Sequence, residues 1–166
     1  MPAFNVREEI GNRLWRLFLV KFNHDLAAGN LLADLMIDAI SHSATPLPDF
    51  IVPVPLHRHR LRERGFNQSL ELAKRIARAV GREINLEALQ RTRATEVQSG
   101  LDAKTRRRNV RGAFAANTAI VNGKSIALID DVVTTAATVH ECAAMLKLAG
   151  AREVSVWAVA RAPGRS

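Results

Sequence analysis

The 166-residue sequence has no tyrosine, two tryptophans and a single cysteine, and its 16 acidic residues fall well short of its 24 lysines and arginines. The lone Cys142 excludes an intramolecular disulfide and any finger built on cysteine zinc ligands. Aromatics at 5% leave few flat faces on which nucleic-acid bases can stack. No apolar run reaches the roughly 20 residues of a membrane span. The most apolar early stretch, Leu14 to Phe22, is broken by Arg16 and Lys21. Arg7, Glu8 and Glu9 come early and no small-residue cleavage site follows, so a signal peptide is not expected. The expected location is cytoplasmic, without membrane insertion. What the chain does have is material for a core: 48% apolar against 24% charged residues. Its net charge of +8 favours anionic partners, whether a polyphosphate, a nucleic acid or an acidic protein face.

The chain shows no internal repeat and no low-complexity segment. Its first forty residues read as helical. Ile10, Leu14, Leu17 and Phe18 share one face, and Leu31, Leu32, Leu35, Met36 and Ile40 form a second stripe. Ser43 to Asp49, with two prolines, ends this region. Phe50 to Val54 is a short strand, left at Pro53 and Pro55. Leu70, Ala73, Ile76, Ala77 and Val80 recur at helical spacing, with Gly81 placed to stop the helix. Arg91 to Gly112 is polar and basic and reads as a loop with one short helix. Ala113 to Ala115 and Ile126 to Ile129 read as strands. A helix is expected over Val139 to Ala149, with Val139, Cys142 and Leu146 inward, and Glu153 to Ala160 closes the sheet. Strands alternating with helices predict an α/β fold, a single domain with a central, mainly parallel sheet flanked by helices. Ile126 to Ile129, apolar throughout, suits its central strand.

The segment Ile126 to Thr138 is the most informative. A buried strand ends in two adjacent carboxylates, Asp130 and Asp131; small and hydroxylated residues follow, and a helix begins. Ligands of open α/β sheets sit at the carboxyl ends of the strands, where these acids project. A turn over Thr134 to Thr138 aims backbone N–H groups and a positive helix end at the same crevice, an anion site of phosphate size. Carboxylates beside such a site repel a simple anion but suit a sugar phosphate, whose diol donates hydrogen bonds to them. A plainer reading stands beside this one. Thr138 to Glu141 fits a capping box, and the acids form a charged strand exit.

Ile126 to Thr138 resembles the thirteen-residue signature of the type I phosphoribosyltransferases, which bind 5-phosphoribosyl-1-pyrophosphate (PRPP). Val52-Pro53-Val54-Pro55-Leu56, Arg64-Gly65-Phe66-Asn67-Gln68, Gln98, Arg107-Arg108-Asn109-Val110 and Gly112-Ala113-Phe114 narrow the resemblance to the ComF (competence protein F) family. It covers the chain from about Leu14 onward. The apolar stripes give a helical N-terminal arm over residues 1–45, and the resemblance implies a phosphoribosyltransferase-like domain over 46–166. It gives Asp130 and Asp131 the ribose hydroxyls, and gives Val132, Thr134, Thr135, Ala136, Ala137 and Thr138 the 5′-phosphate loop. It makes Val54, Pro55, Leu56 and His57 a pyrophosphate loop, although a proline-bracketed strand exit is equally a structural corner. It implies magnesium carried with PRPP, reached by Asp130 and Asp131 only through that ligand.

Two departures from the family pattern stand out. Its members commonly begin with a cysteine zinc module, which one cysteine cannot form. The phosphate turn usually has glycine where Ala136 stands; if that residue adopts positive φ, alanine costs about 1–2 kcal/mol.

The remaining basic groups fall in two series, Arg58, Arg60, Arg62 and Arg64, then Lys104, Arg106, Arg107, Arg108 and Arg111. Arginine forks suit phosphate oxygens, and Arg64, Arg107 and Arg108 lie within recognisable motifs. The alternative is a solvated basic surface. Gln98 and Asn109 share the second segment without an assigned role. Phe66 is the best stacking candidate and equally a core residue. No acceptor pocket is legible, so the acceptor of a transfer reaction is unknown. The expected function is phosphoribosyl transfer with release of pyrophosphate. The alternative is a non-catalytic PRPP sensor or a DNA- or protein-binding accessory of DNA uptake, for which the resemblance implies single-stranded DNA or a DNA helicase as partner.

Overall fold

The computed structural model describes residues 26–57, 61–62, 65–93, 103–133 and 136–161. Four parallel strands form its sheet: β1 (Phe50–Pro53), β2 (Glu83–Ile84), β5 (Ser125–Val133) and β6 (Glu153–Arg161), in the order β2-β1-β5-β6. β5 is the central long strand that its unbroken apolar sequence predicts. It runs through the acid pair to Val133 rather than ending before it, because Asp130, Val132 and Val133 continue the ladder with Ala158, Ala160 and Arg161 of β6.

Both sheet faces are covered, as βαβ connections require. On one face Ile51, Ala127 and Ile129 meet α1 (Leu26–Ser41) and α2 (Gln68–Val80) through Ala33, Met36, Leu72, Ala73, Ile76 and Ala77. On the other, Val52, Ile126 and Leu128 meet α5 (Ala137–Leu148) through Val139, Cys142 and Leu146. Ile76 is wholly enclosed, so truncating it to alanine costs about 2–5 kcal/mol. α2 has clean ends. Asn67 caps its start, and Gly81, at φ 65°, donates to Ala77 O at its end.

The stripe expected for α1 is rotated. Leu31 and Leu35 are 59% and 38% exposed, while Ala33 and Met36 are buried. α1 turns this way because it packs on α2, where Arg75 holds Asp34 and Asn30. The small Ala33 lets the helices approach closely.

The basic segment holds the short helix expected of it and is entered from a strand that the sequence did not show. β3 (Leu89–Arg91) pairs antiparallel with β4 (Phe114–Ala116), so the chain between them is a long excursion from a two-stranded ribbon. Within it, α3 (Ala103–Val110) packs on α5, anchored by buried Val110. A four-residue helix, α4 (Thr118–Val121), leads into β5. No helix among the described residues is long and apolar enough to cross a membrane.

Candidate functional site

β1 and β5 run parallel in the register Phe50↔Ile126 to Pro53↔Ile129, so their carboxyl ends lie side by side. Val54 N–H extends this pairing by donating to Ile129 O at 2.8 Å. The Val54–His57 segment and the acid pair therefore leave the same edge of the sheet. Val54 is buried; Pro55, Leu56 and His57 are half-buried.

Asp130 is only 8% exposed. Its Oδ1 accepts the Ser69 hydroxyl at 3.2 Å and the Asp131 N–H at 3.1 Å. Burial holds its carboxyl well above the usual carboxylate range, and the charge and side-chain hydrogen bond of Asp131 push in the same direction. The Ser69 hydroxyl and the Asp131 N–H oppose this shift. Asp131 itself is half-buried. An enclosed carboxyl beside a second one can accept hydrogen bonds from a donor-rich ligand.

Ala136 stands at φ 57° and ψ 1°, the one described non-glycine residue with positive φ. This settles the question left by the sequence: the turn does require the left-handed conformation, and alanine costs about 1–2 kcal/mol there. Ala136 begins α5 without a side-chain cap, and its carbonyl accepts His140 N–H at 2.8 Å. Ala137 and Thr138 form the helix's first turn. The capping box read at Thr138 is therefore overturned, because Thr138 lies inside the helix. Glu141, its supposed partner, instead accepts Gly112 N–H at 2.7 Å.

The structure thus brings Val54–His57, Asp130, Asp131, Ala136, Ala137 and Thr138 to one end of the sheet. Val132 continues the strand. Thr134, Thr135, Arg58, Arg60, Arg64 and Gln98 lie outside the described residues, as does the side chain of Arg107. Arg108 is exposed on α3. Phe66 is 37% exposed and belongs to neither core cluster. Cys142 is fully buried, and burial pushes its thiol up, so it is inert packing. A groove of about 230 Å³ runs beside β6, between Ile40, Pro46, Pro48 and Trp157, and contains none of the site residues.

Sequence reasoning missed Ser69 and Arg93, and gave Glu141 the wrong partner. Asn67 carried a signal as a polar residue opening an apolar-periodic helix. Its side chain also donates to Val54 O at 3.1 Å. Ser69 carried none, since its partner is 61 residues away.

A parallel sheet covered on both faces, with an acid pair late in the central strand and a positive-φ residue opening the helix that follows, defines an open-sheet α/β protein. The sequence model of the phosphoribosyl transferase domain matches residues 67–166, and the chain belongs to that family. DNA utilization protein YhgH of Escherichia coli (strain K12) is 39% identical over 158 residues, 95% of this chain and 63% of that protein. Competence protein F of Haemophilus influenzae is 35% identical over 147 residues, 87% of this chain and 64% of that protein. These relatives bear out the ComF resemblance, and the chain spans less than two thirds of their length. Among solved structures, glutamine PRPP amidotransferase from B. subtilis superposes with a TM-score of 0.54 at 22% identity, over 80% of this chain and 26% of that one. Adenine phosphoribosyltransferase from Thermoanaerobacter pseudethanolicus gives 0.50 at 12% identity, over 82% of each. These likenesses establish the fold.

Proposed function

We propose that the chain binds PRPP with magnesium and transfers its 5-phosphoribosyl group to an unidentified acceptor, releasing pyrophosphate. The observation that carries this reading is the acid pair late in β5, Asp130 buried and Asp131 half-buried, in the strand that precedes the positive-φ Ala136 opening α5. The bond from the anomeric carbon to pyrophosphate breaks as a bond to the acceptor nucleophile forms, and pyrophosphate leaves with the bonding pair. Positive charge builds on the ribose and negative charge on the departing group.

Asp130 and Asp131 accept the ribose hydroxyls and orient the ring. Amides of the 134–138 turn hold the 5′-phosphate, and those of Val54–His57 face the pyrophosphate. Arg64, Arg107 and Arg108 are the basic groups proposed to offset the leaving charge. Catalysis then rests on positioning and on charge neutralisation. Magnesium fits this donor set, because the carboxylates and phosphate oxygens are hard ligands, and it would neutralise charge on the leaving pyrophosphate. No group of three or more His, Cys, Asp or Glu among the described residues can hold a metal alone, so the ion is expected to arrive with the polyphosphate.

Calorimetric titration of PRPP, with and without Mg²⁺ and with ribose 5-phosphate and pyrophosphate as controls, tests the reading. Saturable, magnesium-enhanced PRPP binding supports it. Absence of binding by folded protein sinks it.

A second reading draws on the relatives' names, DNA utilization and competence, and on the net charge of +8. It makes the chain a non-catalytic accessory of DNA uptake that senses PRPP or binds single-stranded DNA or a helicase. DNA binding with steep salt dependence and no competition by PRPP favours this alternative.

A further inference from the structure

Asn67 uses both ends of its side chain. Oδ1 accepts Ser69 N–H at 3.1 Å, which starts α2, and Nδ2 donates to Val54 O at 3.1 Å, which pins the segment leaving β1. One residue into the helix, Ser69 donates its hydroxyl to Asp130 Oδ1. A continuous set of hydrogen bonds therefore runs from the end of β1, through the first turn of α2, to the end of β5.

We infer that Ser69 is a positioning residue that fixes the Asp130 carboxyl for the ribose, and that Asn67 ties this geometry to the segment facing pyrophosphate. The inference rests on the PRPP reading above. A carboxyl rotates in a broad, two-fold well, so an acid with one anchored oxygen is better ordered than a free one. Ser69 Oγ–H and Asp131 N–H both donate to Oδ1, which anchors that end of the carboxyl.

Helix formation alone gives no reason for serine here. Alanine is the better helix former, and a hydroxyl at 5% exposure is costly to bury without a partner. The partner it has is the acid that every ribose-binding step would use.

The test measures dissociation constants for PRPP, ribose 5-phosphate and pyrophosphate, all with Mg²⁺, together with Tm, for the wild type, Ser69→Ala, Ser69→Cys, Asn67→Asp, Asp130→Asn and Ser69→Ala/Asp130→Asn. Ser69→Cys keeps the volume and all but removes the donor, so it serves if the alanine variant folds poorly. Losing the hydrogen bond that anchors the Asp130 carboxyl is expected to weaken PRPP and ribose 5-phosphate about tenfold in Ser69→Ala and Ser69→Cys, with pyrophosphate unchanged. Asn67→Asp keeps the helix cap but removes the donor to Val54, so it is expected to weaken pyrophosphate and PRPP and spare ribose 5-phosphate.

In the Asp130→Asn background, Ser69→Ala is expected to add no further loss. Wild-type affinity in folded Ser69→Ala and Ser69→Cys, or additive losses in the double variant, overturns this inference while the PRPP reading survives. A wild-type protein that ignores PRPP overturns both.

Discussion

Gly112 N–H and the Glu141 carboxylate meet at 2.7 Å, joining the turn after α3 to the second turn of α5. Arg93 holds the same end of α3 from β3's side, donating to Asn109 O at 2.9 Å and Arg111 O at 3.0 Å. The helix that carries Arg107 and Arg108 is therefore fixed to the helix that opens at Ala136. Glu141→Ala is expected to destabilise the fold by about 1 kcal/mol and to expose the Gly112 amide to exchange. Hydrogen exchange at Gly112 reads this directly, and unchanged protection refutes it.

At Ala136 the backbone conformation and the side chain disagree. Ala136→Gly removes the left-handed penalty but adds unfolded-state entropy, for a net gain of about 1 kcal/mol. For a chain of this size that corresponds to roughly 2–4 °C in Tm, readable by calorimetry. PRPP affinity is expected to hold or improve. A lower Tm shows that the turn has been misread.

Asp130 sets stability against function. Its folded-state carboxyl lies above the unfolded value, so its protonated form favours the fold, and that contribution is lost as pH rises through the folded value. Asp130→Asn removes the titration. Tm curves of the variant and the wild type should converge in acid and part as pH rises above the ordinary carboxylate range, the variant staying higher. The same variant should lose PRPP affinity. A variant no more stable than wild type at neutral pH counts against the strain assigned to this acid.

Asp49 behaves in the opposite sense at the other end of the sheet. The Ser125 N–H, at 2.7 Å, is the main cause lowering its carboxyl, with Arg152, Lys124 and Arg82 adding to this against partial desolvation. Its contribution is present above the unfolded value and lost as pH falls through the folded one. Asp49→Asn should flatten the acid limb of the Tm profile below about pH 4 and leave the neutral region little changed. An unchanged acid limb rules the contribution out.

Much of this arrangement was legible because it is local. Ile126 to Ile129 announced a central strand, and Gly81 and Gly150 marked helix ends that the structure confirms at φ 65° and 95°. What was missed is non-local. Leu89 pairs with Ala116 across a long basic excursion, and strands of three residues containing Gln90 and Arg91 carry no usable periodicity. Leu31 and Leu35 outweighed Ala33 by bulk, although the smaller side chain sits at the helix contact. Thr138 and Glu141 matched a capping pattern, yet Glu141 was committed to Gly112. Within the candidate site, the acid pair was visible in sequence, but Ser69 reaches it only through the fold.

The position of β5 between β1 and β6 also sets an order of assembly. As the chain emerges during synthesis, β1 can pair with β5 only after more than seventy intervening residues have been made, a long-range closure that slows folding. β6 comes later still, and until it is laid down the nine-residue central strand has one open edge. A nascent chain at that stage carries both aspartates on a strand able to recruit a neighbour's backbone instead of its own. Addition of β6 therefore covers that edge and closes the interval in which the unfinished chain is most prone to aggregate.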